Sequence, residues 1–352
     1  MKTQVIKINP LDPEKEKIRD AALVLANGGL VAFPTETVYG LGANVNNGRA
    51  VERLYEVKIR PKDKPFTVQI AAKEIIDDFS YKVLPFVYRL IDRFWPGPLT
   101  LILESRDNNK IGLRMPNNKI ALGLLHAAAI PLAVPSANIS SHPPSLTAND
   151  VLRDLDGKIE LIVDGGKVEL GIESTVVDVV NLPIRILRNG AIGGDILEKI
   201  ANSKEILFVC TGNSCRSVMA KYLLEKELKI RKREDIFCAS CGIGALGGME
   251  ATPFVKSLLN EEGIDSSAHR ARRLNEWMLK RADLILAMDS IHKDEINRLY
   301  PVLREKVYLL SEFAEGGDSG IYDPIGRPEE EYRKCFLQIK KLIKKAAEKI
   351  CR

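Results

Sequence analysis

The run Cys210-Thr211-Gly212-Asn213-Ser214-Cys215-Arg216-Ser217 constrains this chain more than any other stretch of it. Ahead of it lies Ile206 to Val209, an apolar run that predicts a buried strand. Behind it, Ser217 to Leu228 places Ala220, Leu223, Leu224 and Leu228 on one face of a helix. A loop held between a strand and a helix start points backbone N–H groups inward, at the positive end of the helix. That arrangement binds a tetrahedral dianion. Gly212 allows a backbone conformation that a Cβ would oppose. Arg216 is placed to grip two phosphate oxygens and to stabilise charge during phosphoryl transfer. The same positive field favours a nucleophilic thiolate at Cys210, within reach of the Ser217 hydroxyl. A phosphocysteine route also needs an acid for the leaving group, and Asp323 in Tyr322-Asp323-Pro324 is the candidate. Pro324 disfavours helix at Asp323 and holds it extended. Alone, an Asp-Pro pair reads as a turn and a Cys-x5-Arg spacing means little. Their placement between these elements gives them chemistry.

The remaining thiols carry less. Cys238-x2-Cys241 has no second Cys or His pair, whereas a structural zinc site wants four ligands. The pair is expected to be two ordinary thiols near a strand end. Cys215 is expected to be a buried loop residue, with the capacity for a reversible disulfide to Cys210. Six cysteines in 352 residues suit a reducing cytoplasm rather than a disulfide scaffold. Met1 to Glu16 shows no apolar core of a signal peptide, and Ile120 to Ala133 is too short and too broken to cross a bilayer. A cytoplasmic protein without a membrane segment is expected.

The length favours two domains, 1–200 and 204–352, with the boundary in the glycine-containing stretch Gly190 to Ser203. Before residue 204 the chain has 25 basic and 24 acidic side chains, and from there on 27 and 23. Neither half is basic enough to require direct contact with nucleic acid. The first half predicts helices over Asp12 to Ala26, Arg49 to Val57, Leu84 to Phe94 and Lys119 to Ala129. It predicts strands over Leu30 to Phe33, Leu99 to Leu103, Ala133-Val134, Leu161 to Val163, Ser174 to Val179 and Ile184 to Leu187. That is a mixed α/β pattern rather than a βαβ repeat. Leu284 to Ala287 and Val307 to Leu309 predict further strands in the second half.

Several polar clusters in the first half sit where a core would not want them. Pro34-Thr35-Glu36-Thr37 follows a strand, Lys58-Ile59-Arg60 ends a helix, and Lys64 follows. Arg114, Ser136-Ala137-Asn138, Ser174-Thr175 and Arg188 come later. Cations with Ser, Thr and Asn at strand ends suit a polyphosphate ligand in an α/β crevice. Singly, each reads as a helix-end cation or a turn residue. The chain has no Walker-type loop, so side chains would do the binding.

Residues 204–352 resemble the low-molecular-weight protein phosphatases over nearly their whole length. The matches are the strand leading into Cys210-x5-Arg216-Ser217, His269-Arg270-Ala271-Arg272, Ala282 to Met288, and Asp323-Pro324. The resemblance implies a flavodoxin-like parallel sheet, no metal, Cys210 as nucleophile, Arg216 as clamp and Asp323 as acid. Thr211, Gly212, Asn213, Ser214, Cys215 and Ser217 complete the phosphate loop. Tyrosine-specific members carry a bulky aliphatic residue at the position of Ser214 and aromatics after the Asp-Pro; here the latter are Ile325-Gly326. A small hydroxyl residue at that loop position resembles the protein-arginine phosphatase branch. Phosphoarginine and phosphotyrosine proteins both remain open as substrates, with a slight lean to the former. Arsenate reductase, on the same fold, needs a relay of cysteines, and none lies between Cys241 and Cys335.

Residues 10–195 resemble the YrdC-like threonylcarbamoyl-AMP synthases. Lys58 and Arg60, Ser136 and Asn138, and Pro34-Thr35-Glu36-Thr37 carry the likeness. The resemblance implies a twisted mixed α/β sheet with a positive cavity. Its substrates would be ATP with Mg²⁺, L-threonine and bicarbonate, and its product would feed a downstream transferase that makes N6-threonylcarbamoyladenosine in tRNA. Lys58, Arg60, Lys64, Ser136, Asn138 and Arg188 would meet ATP; Thr35, Arg114 and Ser174 would meet threonine. Lys64, Gln69 and Pro144 stand where the family usually has Asn, His and Ser. A competing reading makes this half a non-enzymatic double-stranded-RNA-binding module, which its near-neutral charge opposes.

Overall fold

In the computed structural model, which describes residues 2–352, the chain forms two units. One takes residues through Val83 together with Arg89–Ala201, and the other takes Leu84–Tyr88 together with Asn202–Arg352.

The strands of the first unit are β1 (Gln4–Lys7), β2 (Val31–Pro34), β3 (Tyr39–Asn44), β4 (Thr67–Gln69), β5 (Leu99–Glu104), β6 (Lys110–Arg114), β7 (Leu132–Ala133), β8 (Leu161–Asp164), β9 (Thr175–Asp178) and β10 (Arg185–Arg188). They form a ten-stranded mixed sheet in the order β1-β8-β2-β3-β7-β4-β6-β5-β9-β10. Side chains alternate across a strand, and β2 shows the consequence. Val31 and Phe33 pack with helices Lys15–Ala26 and Lys119–Ala128, while Leu30 and Ala32 pack with helices Gly48–Lys58 and Ala148–Leu155. With both faces covered, β2 is buried along its length. The predicted elements of this unit are present, with ends shifted by a few residues.

The sequence pattern did not reveal β1, β3, β4 or β6, or the helix Ala148–Leu155. β3 is Tyr-Gly-Leu-Gly-Ala-Asn, which reads as a loop by propensity. It is a strand because it pairs antiparallel with β2, Pro34 opposite Tyr39 and Val31 opposite Gly42. Phe33 Cε1 lies 2.8 Å from where a Cβ on Gly42 would stand, so the small residue is required there.

The second unit holds β11 (Lys204–Cys210), β12 (Ile236–Gly242), β13 (Leu284–Ala287) and β14 (Val307–Leu309). They form a four-stranded sheet in the order β12-β11-β13-β14, and every pairing is parallel. On one face Ile206 and Phe208 pack with helices Arg216–Ile230, Pro253–Glu261 and Glu329–Ile350. On the other, Leu207 and Val209 pack with Leu279, Ile285, Ile296 and Val307. The chain leaves β11 for β12 on one side and later for β13 on the other. In an open parallel sheet such a reversal leaves a crevice at the strands' carboxyl ends, and Cys210 is the last residue of β11.

Cys238 and Cys241 lie within β12, Cys241 next to its last residue. An odd spacing sends them to opposite faces of the sheet, where they join different core clusters. They do not share a metal, and burial pushes both thiols up. No helix among the described residues is long and apolar enough to cross a membrane.

Candidate active sites

The phosphate loop is shaped by its neighbours as much as by its own residues. Asn213 adopts φ 52°, the left-handed region that asparagine tolerates better than most residues. Its buried amide donates to Ser217 Oγ and Ser240 Oγ, each at 3.0 Å, and its Oδ1 accepts from Arg272 N at 2.9 Å. His269 Nε2 meets the Asn213 carbonyl at 2.8 Å. Fixed in this way, Asn213 N donates to Cys210 Sγ at 3.2 Å, and Ser217 Oγ lies 2.9 Å from the same sulfur. Two donor groups therefore converge on Cys210, which suits a thiolate.

Arg216 opens its helix and is buried. Its Nη1 donates to Ile321 O at 2.9 Å, and its Nη2 pairs with Asp323 Oδ2. Asp289 Oδ2 stands 3.9 Å from Nη1. Thr211 Oγ1 lies 3.4 Å from Nη2 and 2.9 Å from Nε2 of the fully buried His292. Burial, and after it the charge of Arg216, bring the His292 imidazole down to about 4, against the weaker pull of Asp289 and Asp323. Cys210, Arg216 and Asp323, the expected nucleophile, clamp and acid, thus belong to one loop and the segment paired with it. Cys215 turns elsewhere: its buried sulfur faces Thr252 Oγ1 at 3.5 Å and Tyr332 Oη at 3.9 Å. Burial pushes that thiol up. Ser214 is half-buried, and Ile325 is exposed beside Asp323.

In the first unit, one cavity gathers Thr35, Arg60, Arg114, Ser136, Ser174 and Arg188 from six separate stretches of chain. Arg114, at the end of β6, is buried and donates to Glu36 Oε1 at 2.7 Å and Thr37 Oγ1 at 2.9 Å. Asn117 N holds the other Glu36 oxygen at 3.1 Å. Arg188, on β10, reaches Ser174 O at 2.9 Å, Ser174 Oγ at 3.0 Å and Glu173 Oε1 at 2.6 Å. Burial first, and then Arg114 and Arg60, lower the Arg188 pKa against the pull of Glu173. Three guanidinium groups act on one space, the field an anionic ligand would neutralise.

Lys58 and Asn138 stand behind this wall rather than on it. The buried Lys58 ammonium bonds Ser136 O and Asn138 O, each at 2.6 Å, and so clamps the Ser136–Asn138 turn. Burial, with Arg60 next, lowers it to about 8. Asn138 Nδ2 is spent on His142 O at 2.6 Å and Ile139 O at 3.1 Å. Between Lys58 and Arg60, Ile59 is left-handed with φ 50°, an unfavourable state for a β-branched residue. The reversal ends the helix and lets one cation turn inward while the next faces the cavity. Lys64 is exposed and touches the group through its backbone, which accepts from Arg60 Nε at 2.9 Å. Gln69, on β4 opposite Arg114, faces the cavity with its buried Oε1 unpartnered.

Glu173, Thr67 and Thr100 complete the wall and were not singled out from sequence. Glu173 adjoins Ser174 and was within sight of the motif. Thr67 and Thr100 have no local signal, because only strand pairing brings them together. His292 was likewise invisible, its partner Thr211 lying 81 residues away.

Residues 23–190 match a family model described as telomere recombination (Sua5, YciO and YrdC), and residues 205–352 match one described as low molecular weight phosphotyrosine protein phosphatase. A threonylcarbamoyl-AMP synthase of Pyrococcus abyssi is 41% identical over 216 residues, covering 59% of this chain and 64% of that one. A putative threonylcarbamoyl-AMP synthase of Methanocaldococcus jannaschii is 31% identical, over 54% of this chain and 95% of that one. A protein-arginine-phosphatase of Geobacillus stearothermophilus is 41% identical over 145 residues, 41% of this chain and 95% of that one. The structure of Pyrococcus abyssi Sua5 complexed with L-threonine superposes with a TM-score of 0.55 at 26% identity, over 98% of both chains. The chain spans 64%, 58% and 55% of the synthases of Pyrococcus abyssi, Bacillus subtilis and Schizosaccharomyces pombe, less than two thirds of each.

Proposed function

Because the chain belongs in its first half to the Sua5/YciO/YrdC family of threonylcarbamoyl-AMP synthases and in its second to the low-molecular-weight protein phosphatases, we propose that it is a bifunctional enzyme. The first unit makes L-threonylcarbamoyladenylate. Bicarbonate condenses with the threonine amine and loses water to leave a carbamate, whose oxygen attacks the α-phosphate of ATP and expels pyrophosphate. Mg²⁺ enters with ATP as part of the substrate. The observation that supports this reading is the convergence of Arg60, Arg114 and Arg188 on one cavity also lined by Thr35, Ser136 and Ser174. Its work is positioning and charge neutralisation of the phosphates. Lys58 acts by holding the Ser136–Asn138 turn in place. The adenylate then passes to a transferase that modifies tRNA.

The second unit hydrolyses a phosphoprotein. The Cys210 thiolate attacks phosphorus, an S–P bond forms, and the bond to the leaving atom breaks as protonated Asp323 supplies a proton. The Asp323 carboxylate then takes a proton from water, which attacks phosphocysteine and releases inorganic phosphate and the thiolate. Arg216 grips the transferring group throughout. Phosphoarginine is the favoured substrate. Ser214 offers a hydroxyl that can orient the attacking water, and Ile325 gives no aromatic face for a tyrosine ring. Phosphoarginine also matches the name of the Geobacillus relative, a protein-arginine-phosphatase.

Two assays on the full chain test the pair. Pyrophosphate release should require both threonine and bicarbonate; release that ignores threonine would sink the synthase reading. Cys210→Ser should abolish aryl phosphate hydrolysis and leave pyrophosphate release intact. Turnover of phosphoarginine and phosphotyrosine peptides, side by side, decides the substrate, and a strong tyrosine preference would overturn the choice.

A further inference from the structure

We propose that His292 is a positioning residue of the phosphatase site, aiming the Thr211 hydroxyl so that Arg216 Nη2 keeps an uncharged partner while Asp323 moves its proton, as Ile321 O serves Nη1. The inference rests on the phosphatase reading above and extends it to a residue outside the loop and its known support.

The Arg216 guanidinium has two partners on the same nitrogen. Nη2 donates to Asp323 Oδ2 and, at 3.4 Å, to Thr211 Oγ1. These partners behave differently during turnover. Asp323 alternates between acid and carboxylate, so its hold on Arg216 changes with each proton transfer. The Thr211 hydroxyl never changes charge. Buried as it is, Arg216 cannot replace a lost partner with bulk water.

For Thr211 Oγ1 to accept from Arg216, its own proton must point elsewhere. Arginine has only donors, so that direction is fixed. Nε2 of His292, at 2.9 Å, is that acceptor in the neutral tautomer that carries its proton on Nδ1. The proton of the neutral ring then resides on Nδ1, which is buried and has no partner in the protein. A phenyl ring would fill the same space without that unmet donor. Packing alone therefore does not account for an imidazole here, whereas an acceptor facing Thr211 does. An imidazolium would remove the acceptor and set a second cation beside Arg216. Burial and the Arg216 charge both oppose it.

The test is a double-mutant cycle on the full chain, with kcat and KM for p-nitrophenyl phosphate as readouts. Thr211→Val and His292→Phe should each lower kcat on the order of tenfold with KM within about twofold, since the interaction is used after the phosphate is seated. The double variant should be no slower than either single one. His292→Gln returns an acceptor without a titratable ring and should recover kcat to within about threefold of wild type. Multiplied losses in the double variant, or a His292→Gln as slow as His292→Phe, would overturn the inference. If His292→Phe does not fold, Thr211→Val combined with His292→Gln carries the test, and must be no slower than Thr211→Val alone. A wild-type chain inactive on the aryl phosphate would instead overturn the phosphatase reading itself.

Discussion

Gly242 ends β12 directly under the phosphate loop, and a single methyl group there probes how much of the chemistry depends on loop placement. A Cβ at this position would stand 2.9 Å from Asn213 N and 3.0 Å from Thr211 C, and closer still to the Thr211 carbonyl oxygen. Non-bonded carbon contacts settle at about 3.5–4.0 Å, so something must give by ~0.5–1 Å. The obstructing atoms are backbone, so no side chain can swing aside. The loop itself has to move, and Asn213 N, the donor to Cys210 Sγ, moves with it. A misplacement of about 1 Å at a reacting centre costs roughly 10²-fold in rate. Overpacking of this kind costs about 1–3 kcal/mol of stability, which leaves the unit folded. Gly242→Ala should therefore reduce kcat/KM for p-nitrophenyl phosphate by about two orders of magnitude while Cys210 and Arg216 remain in place. Pyrophosphate release by the first unit should be unchanged. Gly247→Ala is the control, because its Cβ meets nothing within 4 Å. A Gly242→Ala chain within twofold of wild type would refute the claim that the β12 end sets the loop.

Two further outcomes follow from buried charge. Removing Arg114 leaves Glu36 buried without its ion partner, so Arg114→Met should destabilise the first unit by about 3–5 kcal/mol in denaturant titration. Adding Glu36→Gln should recover most of that stability but not threonine-dependent pyrophosphate release; recovery of both would show that Arg114 is structural only. The His292 imidazole titrates near 6.5 when unfolded and near 4 when folded, so the unfolded chain binds the extra proton between those values. Its contribution to the second unit is complete above pH 6.5 and disappears as the pH falls toward 4, a loss of about 3 kcal/mol. Denaturation midpoints of His292→Gln should fall less steeply than wild type across that window, and parallel curves would remove His292 as the cause.

The phosphatase loop was legible because its chemistry is contiguous. Cys210, Asn213, Arg216 and Ser217 fall within eight residues, and the apolar strand and amphipathic helix on either side state their own geometry. The synthase cavity was legible only as scattered polar clusters. Arg114, Ser136, Ser174 and Arg188 come from strands or strand ends that pairing alone makes neighbours. Lys58 shows where sequence reasoning stops. Its motif marks it as important, but whether its ammonium faces the cavity or clamps the Ser136–Asn138 turn depends on burial and on the left-handed Ile59.

By itself, the sequence determined two α/β halves, the expected nucleophile and clamp, and the likeness of each half to an enzyme family. The tertiary structure decided which groups share a site. β3, with its two glycines, is a strand only because β2 and β7 supply hydrogen-bond partners. Cys238 and Cys241, close in sequence, are separated by the sheet between them. His292 and Thr211, far apart in sequence, meet because parallel β11 and β13 bring their carboxyl ends to one edge. Local patterns record the periodicity of an element and the chemistry of a loop; long-range pairing and burial fix which side chains face one another, and no local pattern encodes that.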